Sequence, residues 1–171
     1  NGQGLAALEM LNILEGAYAG LDDPLSAERL HLEVEAARLG YRDRDALIAD
    51  PAQARVPVDV LLSKEYAARL RAAIRPDRAM AELPPSPFPA HADTVYLCIV
   101  DRDRNAVSFI NSVYDSFGSG LVGPKSGVVL QNRGQGFSTD PAHKNCIAPG
   151  KRPLHTIIPG MVVKDGRAVM P

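Results

Sequence analysis

Net charge is nearly absent from this chain. Its 19 Lys and Arg residues offset 20 Asp and Glu, leaving −1 at neutral pH. That balance gives no electrostatic case for binding nucleic acid or an acidic membrane surface. No apolar run approaches the roughly 18–20 residues of a membrane-spanning helix. Cysteine is scarce: Cys98 and Cys146 stand alone, without CxxC spacing. They therefore do not fix a redox compartment, and both are expected to be buried packing residues. The four histidines (His31, His91, His143, His155) are scattered without metal-ligand spacing. No GxSxG, HExxH or Walker loop occurs, nor any internal repeat. No metal and no cofactor is expected.

What is present is ordinary globular composition, 46% apolar and 23% charged over 171 residues, enough for a domain with a sizeable core. The first half reads as helical. Leu5, Leu8, Leu11 and Leu14 recur at helical spacing after Gly2-Gln3-Gly4. A second helix opens at Ser26, a suitable N-cap, with Glu28 in its first turn. Ala27, Leu30, Val34 and Ala37 are its expected apolar face, Gly40 its expected stop, and Asp43–Ile48 a further short turn. Ser63–Ile74 reads as another helix, rich in Ala, Arg and Leu.

Leu83–Pro89, LPPSPFP, forms neither helix nor inner strand. The period then changes. Val95–Val100 is a short, continuous apolar run, expected as a buried strand. Asp101–Asn105 is a polar turn, and Ala106–Val113 a second strand pairing with the first. Gly118, Gly120 and Gly123 mark an irregular loop, and Val128–Leu130 a third strand. Gly160–Met170 reads as a hairpin turning at Asp165-Gly166. Helices first and strands later give an α+β reading. The chain starts at Asn1 without an initiator Met and is expected to begin mid-domain. Compartment, cytoplasmic or periplasmic, stays open.

From Asp93 onward the sequence reads DTVYLCIVDRDRNAVSFINSVYDSFGSG, then SGVVLQN, then KRPLHTIIPGMVVKDGR. It resembles the small-subunit start of the gamma-glutamyltranspeptidase family. That family has a Thr opening a strand, a V-D-x-x-x-N-A-V hairpin, F-G-S-G, S-G-h-h-L-x-N and K-R-P-L. Asp101, Asn105, Phe117, Gly118, Gly120, Gly127, Asn132, Lys151, Arg152 and Pro153 match this pattern. Upstream, NGQGLAALEMLNILEG, HLEVEAARLGYRDRDALIADP and VPVDVLLSKEYAARLR resemble large-subunit segments in the correct order.

The resemblance implies an N-terminal nucleophile hydrolase fold, an αββα sandwich of which this chain is a fragment lacking both family ends. It also implies self-cleavage between Asp93 and Thr94. Residues 1–93 would then end the large subunit and residues 94–171 begin the small one, the halves associating as a heterodimer. By itself Thr94 is an unremarkable β-former. As an N-terminal residue it would carry nucleophile and base together: its hydroxyl, and an α-amine whose pKa is about 7.7–8.0.

Other roles transfer singly. Ser112 matches a second Thr that hydrogen-bonds the nucleophile, and keeps the hydroxyl. His155 and Thr156 match a Ser-Ser pair that helps hold the substrate carboxylate. Thr156 keeps the hydroxyl and His155 departs; a polar loop near a strand is the plain alternative. Glutamyl-transferring members grip the donor's α-amino group with three side chains, and Tyr114, Arg133 and Gly136 stand at those places. This variant resembles the branch that includes oxamate amidohydrolase-like proteins. It implies a small carboxylate-bearing amide substrate without that amino group. A solvated loop cation is the plain alternative for Arg133. An ordinary glutathione hydrolase or transpeptidase, and a catalytically inactive homologue, also remain open. The family's oxyanion glycine pair and main carboxylate-binding Arg are expected outside residues 1–171, so this chain alone is expected to be inactive.

Overall fold

The computed structural model describes residues 2–82 and 95–171. The Pro-dense arm and the Asp93–Thr94 junction lie outside these described residues. The first part is helical: α1 (Gly4–Leu14), α2 (Ala27–Leu47), a single turn α3 (Val58–Leu61) and α4 (Lys64–Ala73). The Ser26 and Ser63 side chains accept from the backbone N–H of Arg29 and Tyr66, capping α2 and α4 as those residue types should. At the other end of α1, Arg71 donates to the carbonyls of Ile13 at 2.6 Å and Asn12 at 3.0 Å. These carbonyls lack helical partners, so one guanidinium fastens α4 to α1.

The core sits where α1, α2 and α4 meet. Ile13, Ala36, Leu39, Ala67 and Leu70 form it, and Leu14, Tyr66, Ile74 and Met80 pack against it. The buried face of α2 is not the one expected. Leu30 and Val34 are exposed, and Glu35, Ala36, Leu39, Gly40 and Asp43 face inward. Two carboxylates hide that stripe from a count of apolar residues. Both have partners: Glu35 meets Arg38 and the Met80 N–H, and Asp43 meets Arg42 and the Tyr66 hydroxyl. Leu8 and Leu11 of the expected α1 stripe are likewise exposed.

Gly40 does not stop α2, which runs on to Leu47 and absorbs the expected separate turn. A Cβ at Gly40 would stand 2.7 Å from the Met10 side chain. The glycine thus lets α1 approach α2 closely, offsetting its weak helix propensity.

The second part is strand and loop. β1 (Val95–Val100) pairs antiparallel with β2 (Ala106–Asn111), Val95 opposite Asn111 and Val100 opposite Ala106. The turn is held by Asp101, whose carboxylate accepts from the N–H groups of Asp103 and Asn105 and from the Asn105 amide. That is the physical content of the D-x-x-x-N spacing. β3 (Val162–Lys164) and β4 (Arg167–Met170) form a second two-stranded sheet. Asp165 and Gly166 both take positive φ in its turn, as a type I′ hairpin requires.

Three expectations fail here. Val128–Leu130 is not a strand; only an isolated bridge joins Val129 to Val122. β1 is not buried: all six residues are exposed, because nothing among the described residues covers its faces. Cys98 is accordingly exposed and Cys146 only partly buried, and both are free thiols.

Candidate active site

β2 hands the chain to a tight segment. The Ser112 hydroxyl accepts from the Tyr114 N–H at 3.1 Å, and Tyr114 takes φ 86°. Left-handed backbone is costly for a bulky side chain, yet Tyr114 is also buried. The following loop is pinned to the strand side of the site. Asn132 N–H donates to the Val113 carbonyl at 3.1 Å, and Asp115 N–H to the Asn132 side chain at 3.1 Å. Gly118, at φ 57°, is required: a Cβ there would lie 2.5 Å from the Leu130 carbonyl oxygen.

This pinning delivers a 3-10 turn, Arg133–Gly136, in which Arg133 and Gly136 are both buried. Arg133 is only 4% exposed, so it is not a solvated loop cation. Its Nη2 donates to the Ser112 carbonyl at 3.3 Å. Its guanidinium carbon lies 5.9 Å from the centre of the Tyr114 ring. Its Nε is buried without a hydrogen-bond partner. Burial, the largest influence, pulls the Arg133 pKa below its ordinary value. Burial likewise pushes the Tyr114 phenol up, keeping it neutral.

The KRPL segment also reaches this cluster. Leu154 is buried against Ala6 and Ile48. The His155 carbonyl accepts from the Gln3 N–H at 3.2 Å. His155 has its pKa lowered, first by burial and then by the Arg133 charge. Thr156 follows it, half-buried. Ser112, Tyr114, Arg133 and His155 thus converge from three separate chain segments.

Two residues at this place were not foreseen. Arg44 donates to the Gln3 side chain at 2.8 Å, and its charge acts on the Tyr114 phenol. Both belong to the helical part, and nothing in their spacing marks them. A separate open groove of about 890 Å³, lined by Arg55, His143, Lys144, Cys146 and Lys151 among others, contains none of the four converging residues. Among the described residues, no cluster of His, Cys, Asp or Glu is placed to hold a metal ion. No helix there is long and apolar enough to cross a membrane.

The model of the gamma-glutamyltranspeptidase family matches residues 1–171, the whole length of the chain. The chain belongs to the gamma-glutamyltranspeptidase family. It is 42% identical over 167 residues to a glutathione hydrolase-like YwrD proenzyme of Bacillus subtilis, covering 98% of this chain and 31% of that protein. It is also 42% identical over 170 residues to an oxamate amidohydrolase proenzyme of Klebsiella pneumoniae, with the same two coverages. The chain therefore spans about a third of the length of these relatives. The crystal structure of a cephalosporin acylase from Bacillus halodurans superimposes with a TM-score of 0.83 at 43% identity, over all of this chain and 30% of that one. The fold is accordingly a mixed helix-and-strand portion of the N-terminal nucleophile hydrolase architecture. Glutathione hydrolases, an amidohydrolase and acylases stand among the relatives, all named as proenzymes.

Proposed function

We propose that the protein containing this chain is an amidohydrolase that cleaves a small carboxylate-bearing amide lacking an α-amino group. In this reading residues 1–93 end its large subunit and residues 94–171 begin its small subunit. The backbone breaks between Asp93 and Thr94, and the halves remain associated. The proenzyme names of the relatives support a processed chain.

The chemistry follows from an N-terminal threonine. The Thr94 hydroxyl attacks the substrate carbonyl while its own α-amine takes the proton. The amine then returns that proton to the leaving nitrogen as the amide bond breaks. The resulting acyl ester is hydrolysed by water, releasing the acid and restoring Thr94. Ser112 serves as the hydroxyl partner of the nucleophile. His155 and Thr156 flank the substrate carboxylate, and Tyr114 walls the pocket with a neutral phenol.

One observation carries the substrate class: a buried guanidinium, Arg133, with an unpartnered Nε beside Ser112 and Tyr114. A buried cation needs an anion, and a planar carboxylate fits a guanidinium in two-point geometry. An ammonium brought to the same place would be repelled. The test is the ratio of kcat/KM for an acidic amide without an α-amino group to that for a gamma-glutamyl anilide. A ratio below one returns the protein to ordinary glutathione hydrolysis.

A further inference from the structure

Asp50 lies just beyond the end of α2 and is 1% exposed. Its carboxylate bonds the KRPL segment, 102 residues later. One oxygen accepts from the Arg152 N–H at 2.9 Å. The other accepts from Arg152 Nε at 3.1 Å and from Arg152 Nη2. This second oxygen also accepts from the Ala52 N–H at 3.1 Å, holding the turn after α2. A buried carboxylate bonded at both oxygens fixes its partner in position as well as in charge.

The same short segment is gripped twice more by the helical part. Leu154 is seated against Ala6 and Ile48. His155 forms a parallel bridge with Gly2 and accepts from the Gln3 N–H. Arg152, Leu154 and His155 are thus held at three nearly successive positions, all by residues before the Pro-dense arm. Among these three grips, Asp50 is the charged one, and it fixes a backbone N–H and a side chain of the segment together.

We propose that Asp50 is a positioning residue. Through Arg152 it sets where His155 and Thr156 stand relative to Arg133 and Ser112, and so tunes substrate-carboxylate binding without touching substrate. This rests on the reading of His155 and Thr156 as substrate-binding. It places a binding determinant of the small-subunit segment in the large-subunit segment, so the grip on the carboxylate depends on contact across the proposed cleavage.

The experiment uses the full-length processed enzyme with Asp50→Asn, and with Arg152→Gln as the second variant. Arg152 has a side chain 57% exposed, so its replacement does not open the core. Hydrogen exchange of the peptide spanning residues 150–158 reads the segment directly. Both variants are expected to speed exchange there while the helical peptides keep their protection. KM for the acidic amide should rise about tenfold, the scale on which a weakened charge-assisted hydrogen bond lowers affinity, with kcat and self-cleavage unchanged. In a background with both His155→Ala and Thr156→Ala, the added effect of Asp50→Asn on KM should vanish.

Unchanged exchange in the variants, or a KM penalty that adds in full to that background, overturns the proposal. Faster exchange together with a wild-type KM in the His155→Ala, Thr156→Ala enzyme gives a different result. It leaves Asp50 as the anchor of the segment and overturns the substrate reading instead.

Discussion

Arg133 donates to the backbone carbonyl of Ser112 at 3.3 Å, so a buried cation is tied directly to the residue just beyond the end of β2. If Tyr114, Arg133 and Gly136 stand in for the amino-group ligands, as proposed above, Arg133 is the replacement with chemical consequence. Tyr114 is neutral and Gly136 has no side chain. Under the proposed reading, the pocket exchanges an arrangement suited to an ammonium for one suited to a carboxylate.

Gly136→Asp should cripple that arrangement by itself. Residues i and i+3 of a 3-10 turn stand on the same side, which places an aspartate at 136 beside Arg133. The internal carboxylate would occupy the guanidinium and compete with substrate. A charge-assisted hydrogen bond is worth about 1.5–3 kcal/mol, so KM for an acidic amide should rise roughly tenfold to a hundredfold. Adding Arg133→Gln should then move preference toward gamma-glutamyl donors. Steady-state kinetics with both substrate types checks this; an unchanged KM in Gly136→Asp places the substrate carboxylate elsewhere.

Thr94→Ala should leave the full-length protein as one chain and abolish turnover. Alanine has no hydroxyl to attack either the Asp93 carbonyl or the substrate. Intact mass resolves the outcome. Wild type should appear as two fragments divided before Thr94 and the variant as a single species. A variant that still divides there assigns the cut to another nucleophile.

The helical core carries its own pH signature. Glu9 is fully buried, with its carboxyl group set against Asp43. Burial, then the neighbouring Asp43, raises its pKa from 4.5 to about 9. Burial opposes ionisation of Asp43, but hydrogen bonds from Arg42, from the protonated Glu9 and from Tyr66 outweigh it and hold Asp43 below its usual range. The folded state therefore keeps a proton on Glu9 that the unfolded chain releases. Stability from this site is complete at acid pH and falls as pH rises from about 4.5 toward 9. Glu9→Gln preserves the neutral shape and removes the proton linkage. It should stabilise the full-length protein by an amount growing between pH 5 and pH 8, reaching on the order of 1–3 kcal/mol. Denaturant unfolding at several pH values checks it; a loss of stability equal at every pH would mean that Glu9 is ionised in the fold.

Much of this fold was legible in local chemistry. The serine caps, the Asp101 turn and the Asp165-Gly166 hairpin rest on single residues whose preferences act within a few positions. The failures needed distant information. Gly40 reads as a stop until Met10 is seen against it. The α2 face reads wrongly because Glu35 and Asp43 are buried with partners that include Met80 and Tyr66, both outside α2. β1 reads as buried because it is apolar throughout, and its cover is not among the described residues. At the candidate site, family resemblance singled out positions 112, 114, 133, 155 and 156, and the structure brings Ser112, Tyr114, Arg133 and His155 together. Arg44, Gln3 and Asp50 were not, because each acts on a residue at least 41 positions away.

The central claim is that the buried Arg133 selects an acidic amide over a glutamyl donor. Its most direct test is kcat/KM of the full-length, self-processed enzyme for two substrates measured side by side. One is an oxamate-like or glutaryl-like amide without an α-amino group, the other a gamma-glutamyl anilide. Loss of the ammonium's partner and repulsion by Arg133 together favour the acidic amide by at least roughly tenfold to a hundredfold. A wild-type preference for the gamma-glutamyl compound contradicts this account.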